Sequence, residues 1–207
     1  MKLLEIKNKP EDLIERFIRY TKIDTQSDEH TNKSPSTPGQ HDLAKLLYKE
    51  LTEMGASDVF YDQEHCYVYA TIPATNDESK NTPVIGFISH MDTSDAVSGK
   101  DVKARIVEKY DGSDIKLSDD GKYILSTKDF PVLKEKAGED LIVTDGSTLL
   151  GADDKAGIAE IMTMAERIVN SDIPHGKICI GFTPDEEIGQ GADFFDIKKF
   201  QYEWVFN

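Results

Sequence analysis

Three short polar clusters, each placed where an apolar run ends, hold the residues best suited to chemistry: His90-Met91-Asp92, Gly151-Ala152-Asp153-Asp154-Lys155 and Asp185-Glu186-Glu187. One imidazole and several carboxylates make up most of a divalent-metal site, which when closed usually wants a further nitrogen or oxygen donor. In His90-Met91-Asp92 the spacing of two puts both polar side chains on one face of an extended segment and turns Met91 away. A metal-binding imidazole normally donates its other N–H to a carboxylate, and Asp92 stands where that partner belongs. The plainer alternative is a histidine closing a strand beside an aspartate in a turn.

Asp153 and Asp154 fall at the start of a helical pattern, where aspartate is a preferred cap and needs no metal. Lys155, however, opposes the helix dipole in a first turn, which suits a site with extra negative charge nearby. A carboxylate at such a strand-to-helix junction can bridge two divalent ions, which together activate water and polarise a carbonyl. Acidic triplets are mostly solvated loops. Asp185-Glu186-Glu187, though, follows a buried-strand pattern and Pro184, where neighbouring carboxylates repel unless a cation intervenes. Adjacent glutamates can then divide the labour, one binding metal and the other moving a proton.

Competing signatures are missing from the sequence: it has no Gly-x-x-x-x-Gly-Lys-[Ser/Thr] phosphate loop, no Gly-x-Ser-x-Gly elbow and no His-Glu-x-x-His helix. Metal-assisted hydrolysis is what remains. His30, His41 and His175 sit in a loop, at a helix start and in a turn, and are weak candidates. A carbohydrate hydrolase using two carboxylates gives His90 and Asp92 no role.

The elements that must position these groups follow from periodicity. Pro10-Glu11-Asp12 opens an amphipathic helix carrying Leu13, Phe17 and Tyr20 and ending near Lys22. After a polar loop over 23–38, Thr37-Pro38 starts a second helix with Leu43, Leu46, Leu47 and Leu51, ended by Gly55. Strands are expected at 59–61, at 66–72 and, apolar on both faces, at 84–89, after a polar stretch over 74–81. Residues 100–141 read as hairpins decorating the sheet without a core of their own. A third helix runs from Asp154 to about Val169, with Gly157 allowing close approach to the sheet. Strands follow at 177–182 and 202–206. Cys66 and Cys179 lie in strand-like runs and read as buried thiols. Alternating strands and helices with crossover-length connections predict an α/β three-layer fold on a mixed sheet, with the active region along one edge.

The chain has 207 residues, enough for one substantial core, with 39 acidic against 24 basic residues and a formal charge of -15. Such a field repels nucleic acid and anionic lipid. The segment Met1-Lys2-Leu3-Leu4-Glu5-Ile6 becomes charged before any signal core, and no apolar run approaches a membrane span. A cytoplasmic protein is expected.

The segments His90-Met91-Asp92-Thr93-Ser94, Thr148-Leu149-Leu150-Gly151-Ala152-Asp153-Asp154-Lys155-Ala156-Gly157 and Phe182-Thr183-Pro184-Asp185-Glu186-Glu187-Ile188-Gly189 resemble the tripeptide aminopeptidases of the di-zinc exopeptidase family. Flanking matches are Thr25-Gln26-Ser27, Pro35-Ser36-Thr37-Pro38-Gly39-Gln40 and Lys128-Asp129-Phe130-Pro131-Val132-Leu133. The resemblance implies a three-layer α/β/α zinc-exopeptidase-like catalytic domain. Within it His90 binds one zinc, Asp153 bridges both, Glu187 binds the other, Asp92 orients His90, and Glu186 is the general base and later acid. It implies release of the N-terminal residue from tripeptides, a homodimer for the full-length enzyme, and a cis peptide at Asp153-Asp154; cobalt and manganese suit a nitrogen-plus-carboxylate site as zinc does.

Set against the family, residues 1–207 resemble the N-terminal portion of the catalytic domain. The family's next aspartate ligand, its lid and dimerisation domain, and its C-terminal histidine ligand lie beyond the matched part. With one protein ligand fewer per zinc, the expectation is a truncated domain with weak or water-completed metal binding and little or no turnover by itself. Related di-zinc dipeptidases, carboxypeptidases and N-acyl amino acid deacylases share the His-x-Asp and Glu-Glu motifs and stay open as alternatives, as does a non-catalytic fragment associating through an exposed sheet edge.

Overall fold

The computed structural model describes residues 11–76 and 81–207. The expectations for residues 1–6, for Pro10 and for part of the polar stretch at 74–81 lie outside the described residues.

Helix α1 spans Leu13–Thr21, and Asp12 caps it by accepting the Ile14 N–H at 2.9 Å. Its buried stripe is Phe17, Tyr20 and Thr21, with Arg16 buried beside them. Helix α2 spans Gly39–Met54 and stops at Gly55, whose φ of 88° is the left-handed closure that glycine adopts without steric cost. The strands β1 (Ser57–Tyr61) and β2 (Val68–Ile72) follow as an antiparallel pair. β3 (Ile85–His90), β8 (Ile178–Thr183) and β9 (Trp204–Phe206) complete a five-stranded sheet ordered β1-β2-β8-β3-β9. β8 runs parallel to β3 and antiparallel to β2, so the sheet is mixed as expected.

Strand alternation sorts the two faces. Val68, Ala70, Ile72, Ile178, Ile180 and Phe182 join the main core with residues from α1, α2 and helix α3 (Ala152–Val169). Tyr67, Tyr69 and Cys179 face the other way, against Phe195 and Phe200. Over the described residues that second covering layer is turns from the 192–202 segment, fastened where the Tyr67 and Tyr69 hydroxyls accept the N–H groups of Phe194 and Asp196.

Four local expectations change. Residues 105–143 do form a small core: Tyr110, Ile115, Leu133 and Val143 cluster together. β4 (Arg105–Val107) pairs with the distant β7 (Leu141–Val143), while β5 (Ile115–Lys116) and β6 (Ile124–Leu125) make the one local hairpin among the described residues of that segment. β3 is only half-buried at Ile85, Phe87 and Ile88, because its neighbour β9 is a three-residue exposed edge strand. Cys66 is buried but precedes β2, in a turn with φ of 65° whose N–H donates to the Asp62 carbonyl. Finally, the close neighbour of Gly157 is the Asp154 carboxylate of its own helix: a Cβ there would sit 2.5 Å from Asp154 Oδ1.

Candidate metal centre

Three chain reversals deliver the candidate residues to one place. β3 and β8 are adjacent and parallel, with His90 paired to Thr183, so the segments leaving them emerge side by side at their carboxyl ends. Such crevices are where α/β sheets bind ligands. α3 begins beside the same place. The Asp154 carboxylate accepts both the Ser89 hydroxyl of β3, at 2.5 Å, and the Gly157 N–H, at 3.2 Å. The backbone is non-helical at Asp153 and Asp154, so Asp154 caps the regular turns of α3 that follow and ties them to the sheet, while Asp153 points elsewhere. The Asp153-Asp154 peptide is cis, as the resemblance implied.

His90, Asp153 and Glu187 each offer a donor atom, and all three atoms lie within 4.8 Å of one another. His90 Nε2 faces Asp153 Oδ1 at 2.8 Å and Glu186 Oε2 at 3.7 Å. On its other side His90 Nδ1 sits 3.1 Å from the Asp92 carbonyl oxygen and 3.3 Å from its carboxylate. Met91 turns inward and is fully buried, as a spacing of two requires. The Asp92 carboxylate, also fully buried, accepts the N–H groups of Glu186 at 2.9 Å and Glu187 at 3.1 Å. One side chain thus supports the imidazole and the acidic turn together.

Electrostatics report what these groups lack. Burial works against a charged His90, but hydrogen bonds to Asp92 and Asp153 outweigh it and raise its pKa to about 9. Burial also raises the Glu187 pKa; His90 opposes that, and the carboxylates of Asp153 and Asp92 add to it. A proton on His90 balances the carboxylates, and a divalent cation held between neutral imidazole and two carboxylates does the same with more charge. The donor chemistry and convergence fit such an ion.

Two features were not foreseen. Asp185, given no role of its own within the acidic triplet, is completely buried: it accepts the Ser36 N–H at 2.8 Å, the Ser36 hydroxyl at 2.5 Å and the Gln40 side-chain amide at 2.6 Å. The available signal was the polar set Ser36, Thr37 and Gln40 beside prolines at 35 and 38, which is richer in donors than a plain loop needs. Lys155 is buried too, its ammonium donating to the Ile23 carbonyl at 2.7 Å. Burial lowers its pKa to about 8, against the pull of Asp24 and Asp92. The negative charge expected near Lys155 is therefore present, supplied by the loop after α1 and by Asp92. The four remaining histidines stay apart from the centre: His41 meets the Tyr61 hydroxyl at 2.5 Å, His65 the Asp62 carboxylate at 3.2 Å, His175 the Gly176 carbonyl, and His30 is exposed.

Fold and site together define the class: an α/β fold on a mixed sheet, with a cluster able to hold a metal ion at the carboxyl ends of its parallel strands. Within that class the chain resembles peptidase T. It is 52% identical over 195 residues to peptidase T of Alkaliphilus oremlandii, covering 94% of this chain and 47% of that protein. It is 56% identical over 191 residues to peptidase T of Clostridium acetobutylicum, covering 92% and 46%. Among solved structures it is similar to the aminopeptidase PepT of Bacillus cereus, with a TM-score of 0.64, 26% identity and coverage of 93% of this chain and 41% of that one. A tripeptidase of Staphylococcus aureus shares the fold, with a TM-score of 0.63 and 23% identity over 93% and 41%. No family model matches the chain. The chain spans about half the length of the curated relatives it matches.

Proposed function

We propose that residues 1–207 form the N-terminal portion of the catalytic domain of a zinc-dependent aminopeptidase that releases the first residue of tripeptides. One observation carries this reading: His90, Asp153 and Glu187, far apart in sequence, converge their donor atoms within 4.8 Å. The peptidase T relatives support a peptidase, and the aminopeptidase and tripeptidase among similar solved structures support the substrate class.

In this proposal His90, Asp153 and Glu187 would hold the zinc, with cobalt or manganese able to substitute. When bound, such ions lower the pKa of water and polarise a peptide carbonyl. The chain's own residues do the rest. Asp92 keeps the His90 ring oriented through Nδ1 and fixes the acidic turn through two backbone N–H groups. Glu186 is the general base and then the acid: its side chain is 58% exposed and its Oε2 lies 3.7 Å from His90 Nε2, beside the ligands yet open to an incoming peptide. It takes a proton from the attacking water and returns it to the leaving amine.

The longer form is read as a homodimer acting on small peptides. A cytoplasmic location is supported by two free, buried thiols, Cys66 and Cys179, and by the net charge of -15. Among the described residues no helix is long and apolar enough to cross a membrane.

Calorimetric zinc titration of the 207-residue chain tests the site: uptake is expected in the parent and lost in H90A, D153A and E187A. Tri-alanine, di-alanine and acetylated tri-alanine then test the activity. Little or no turnover is expected, any of it confined to tri-alanine, while cleavage of the acetylated peptide points to a deacylase or carboxypeptidase. No zinc uptake together with concentration-dependent association favours a non-catalytic module.

A further inference from the structure

Glu186 and Glu187 carry the chemistry of the acidic turn, yet what fixes the turn's position lies elsewhere. Asp185 is held in the left-handed region, with φ of 52°, a conformation that costs a non-glycine residue energy and persists only where its surroundings enforce it. The enforcement comes from the loop before α2 and from its first turn. Gln40 grips Asp185 at both ends: its amide nitrogen donates to Oδ1 at 2.6 Å, and its carbonyl oxygen accepts the Asp185 N–H at 3.1 Å. Ser36 supplies two more donors, the N–H to Oδ2 and the hydroxyl to Oδ1. Ser36, Gln40 and Asp185 are all at least nine-tenths buried, and the partners lie 149 and 145 residues apart in sequence. The Asp185 carbonyl in turn accepts the Gln190 N–H at 2.9 Å, closing the turn around Glu186 and Glu187.

We propose that Ser36 and Gln40 are positioning residues that, through Asp185, set where the carboxylates of Glu186 and Glu187 stand over His90 and Asp153. The proposal rests on the metal-site reading above. The physical reason is that the turn has two anchors on opposite sides. Asp92 holds the N–H groups of Glu186 and Glu187 from the β3 side, and the Ser36-Gln40 pair holds Asp185 from the α2 side. With the first anchor alone the turn can pivot about Asp92, and Glu187 leaves the donor cluster. α2 contributes no ligand, but its packing in the main core makes it a rigid support for the second anchor.

The test uses cobalt(II) as a spectroscopic stand-in for zinc, since the visible bands of the bound ion report its coordination number and geometry. S36A, Q40A and the double variant D185N/Q40E are compared with the parent chain by cobalt titration and thermal melting. S36A and Q40A are expected to shift the cobalt bands and weaken binding by about tenfold, the lower end of the effect of removing a ligand's supporting partner. D185N/Q40E reverses the polarity of the clamp, so that an amide at position 185 donates to a carboxylate at position 40, and it is expected to restore the parent bands. Parent bands and affinity in S36A and Q40A, at whatever melting temperature, would overturn the proposal by showing that the clamp only stabilises. S36A keeps its backbone donor and is the mildest variant, so it still reports if Q40A does not fold. Absence of any cobalt band in the parent chain overturns the metal-site reading, and this proposal with it.

Discussion

Asp92 and Glu186 meet through the backbone: the Glu186 N–H donates to Asp92 Oδ1 at 2.9 Å, across 94 residues of sequence. Because Oδ2 of the same carboxylate accepts the Glu187 N–H and Oδ1 faces His90 Nδ1 at 3.3 Å, one buried side chain sets the distance between the imidazole and the acidic turn.

Asp92→Ala therefore removes three contacts at once. Each part-buried N–H left without an acceptor costs about 1 kcal/mol, the low end of the range for a fully buried donor. Losing the imidazole's partner weakens metal binding by about 10- to 100-fold. Urea unfolding and zinc calorimetry should both record the change, with Asp92→Asn intermediate because it retains one acceptor oxygen.

The metal-free protein should lose stability as the solution becomes alkaline. The folded pKa of His90, about 9, lies above its ordinary 6.5, so its contribution is complete below about pH 6.5 and disappears as pH rises through about 9. The size is on the order of 2 kcal/mol, because the exposed Asp153 end of the pair is screened by water. Zinc should reverse the trend, since the ion needs a neutral imidazole and displaces its proton. Thermal melts from about pH 6 to about 9.5, a range that brackets both pKa values, with and without zinc and with His90→Ala as control, measure both slopes.

Gly157→Ala is expected to destabilise, although alanine ordinarily improves a helix by about 0.5–1 kcal/mol. The added methyl would meet Asp154 Oδ1 at 2.5 Å and Oδ2 at 2.9 Å. Those oxygens are held by the Ser89 hydroxyl and the Gly157 N–H, so they can move aside only by giving up those bonds, at about 1 kcal/mol. Chemical denaturation should show a lower midpoint at unchanged slope.

Arg16 joins α1 to both other helices. Its guanidinium, almost fully buried, pairs with Glu166 of α3 at 2.5 Å and Glu50 of α2 at 3.2 Å. Arg16→Ala takes the guanidinium from Glu166, while Glu50 keeps Arg19 and the Tyr20 hydroxyl, each at 2.6 Å, so the loss should fall below the roughly 3–5 kcal/mol of a fully broken buried pair; Arg16→Met, which fills the same volume, keeps the packing and costs less. Unfolding free energies of the two variants, compared with Glu166→Ala, separate charge from packing.

Much of this molecule is legible along the chain because the relevant forces are local. The Asp12 cap, the Gly55 stop and the leucine spacing of α2 act within a few residues, so they mark α1 and α2 closely. The spacing of two in His90-Met91-Asp92 needs only an extended backbone to bring two polar groups to one side. Apolar runs likewise identify β2 and β8, whose side chains are buried on both faces. Cys66 marks the limit of such reasoning: its apolar neighbours suggest a strand, yet a backbone bond to Asp62 places it in a turn.

What local pattern does not encode is which distant segments become neighbours. Nothing in the spacing of Asp185, Glu186 and Glu187 tells the buried acid from its exposed companions; the donors of Ser36 and Gln40, 149 and 145 residues earlier, decide it. Gly157 reads as a point of contact with the sheet until the Asp154 carboxylate is seen to occupy that space. The sequence by itself determined the kinds of donor and the elements bearing them, because caps and periodicity are short-range. Only the tertiary structure decided that His90, Asp153 and Glu187 share a space of 4.8 Å, because parallel pairing of β3 with β8 and docking of α3 are long-range events whose geometry no single segment contains.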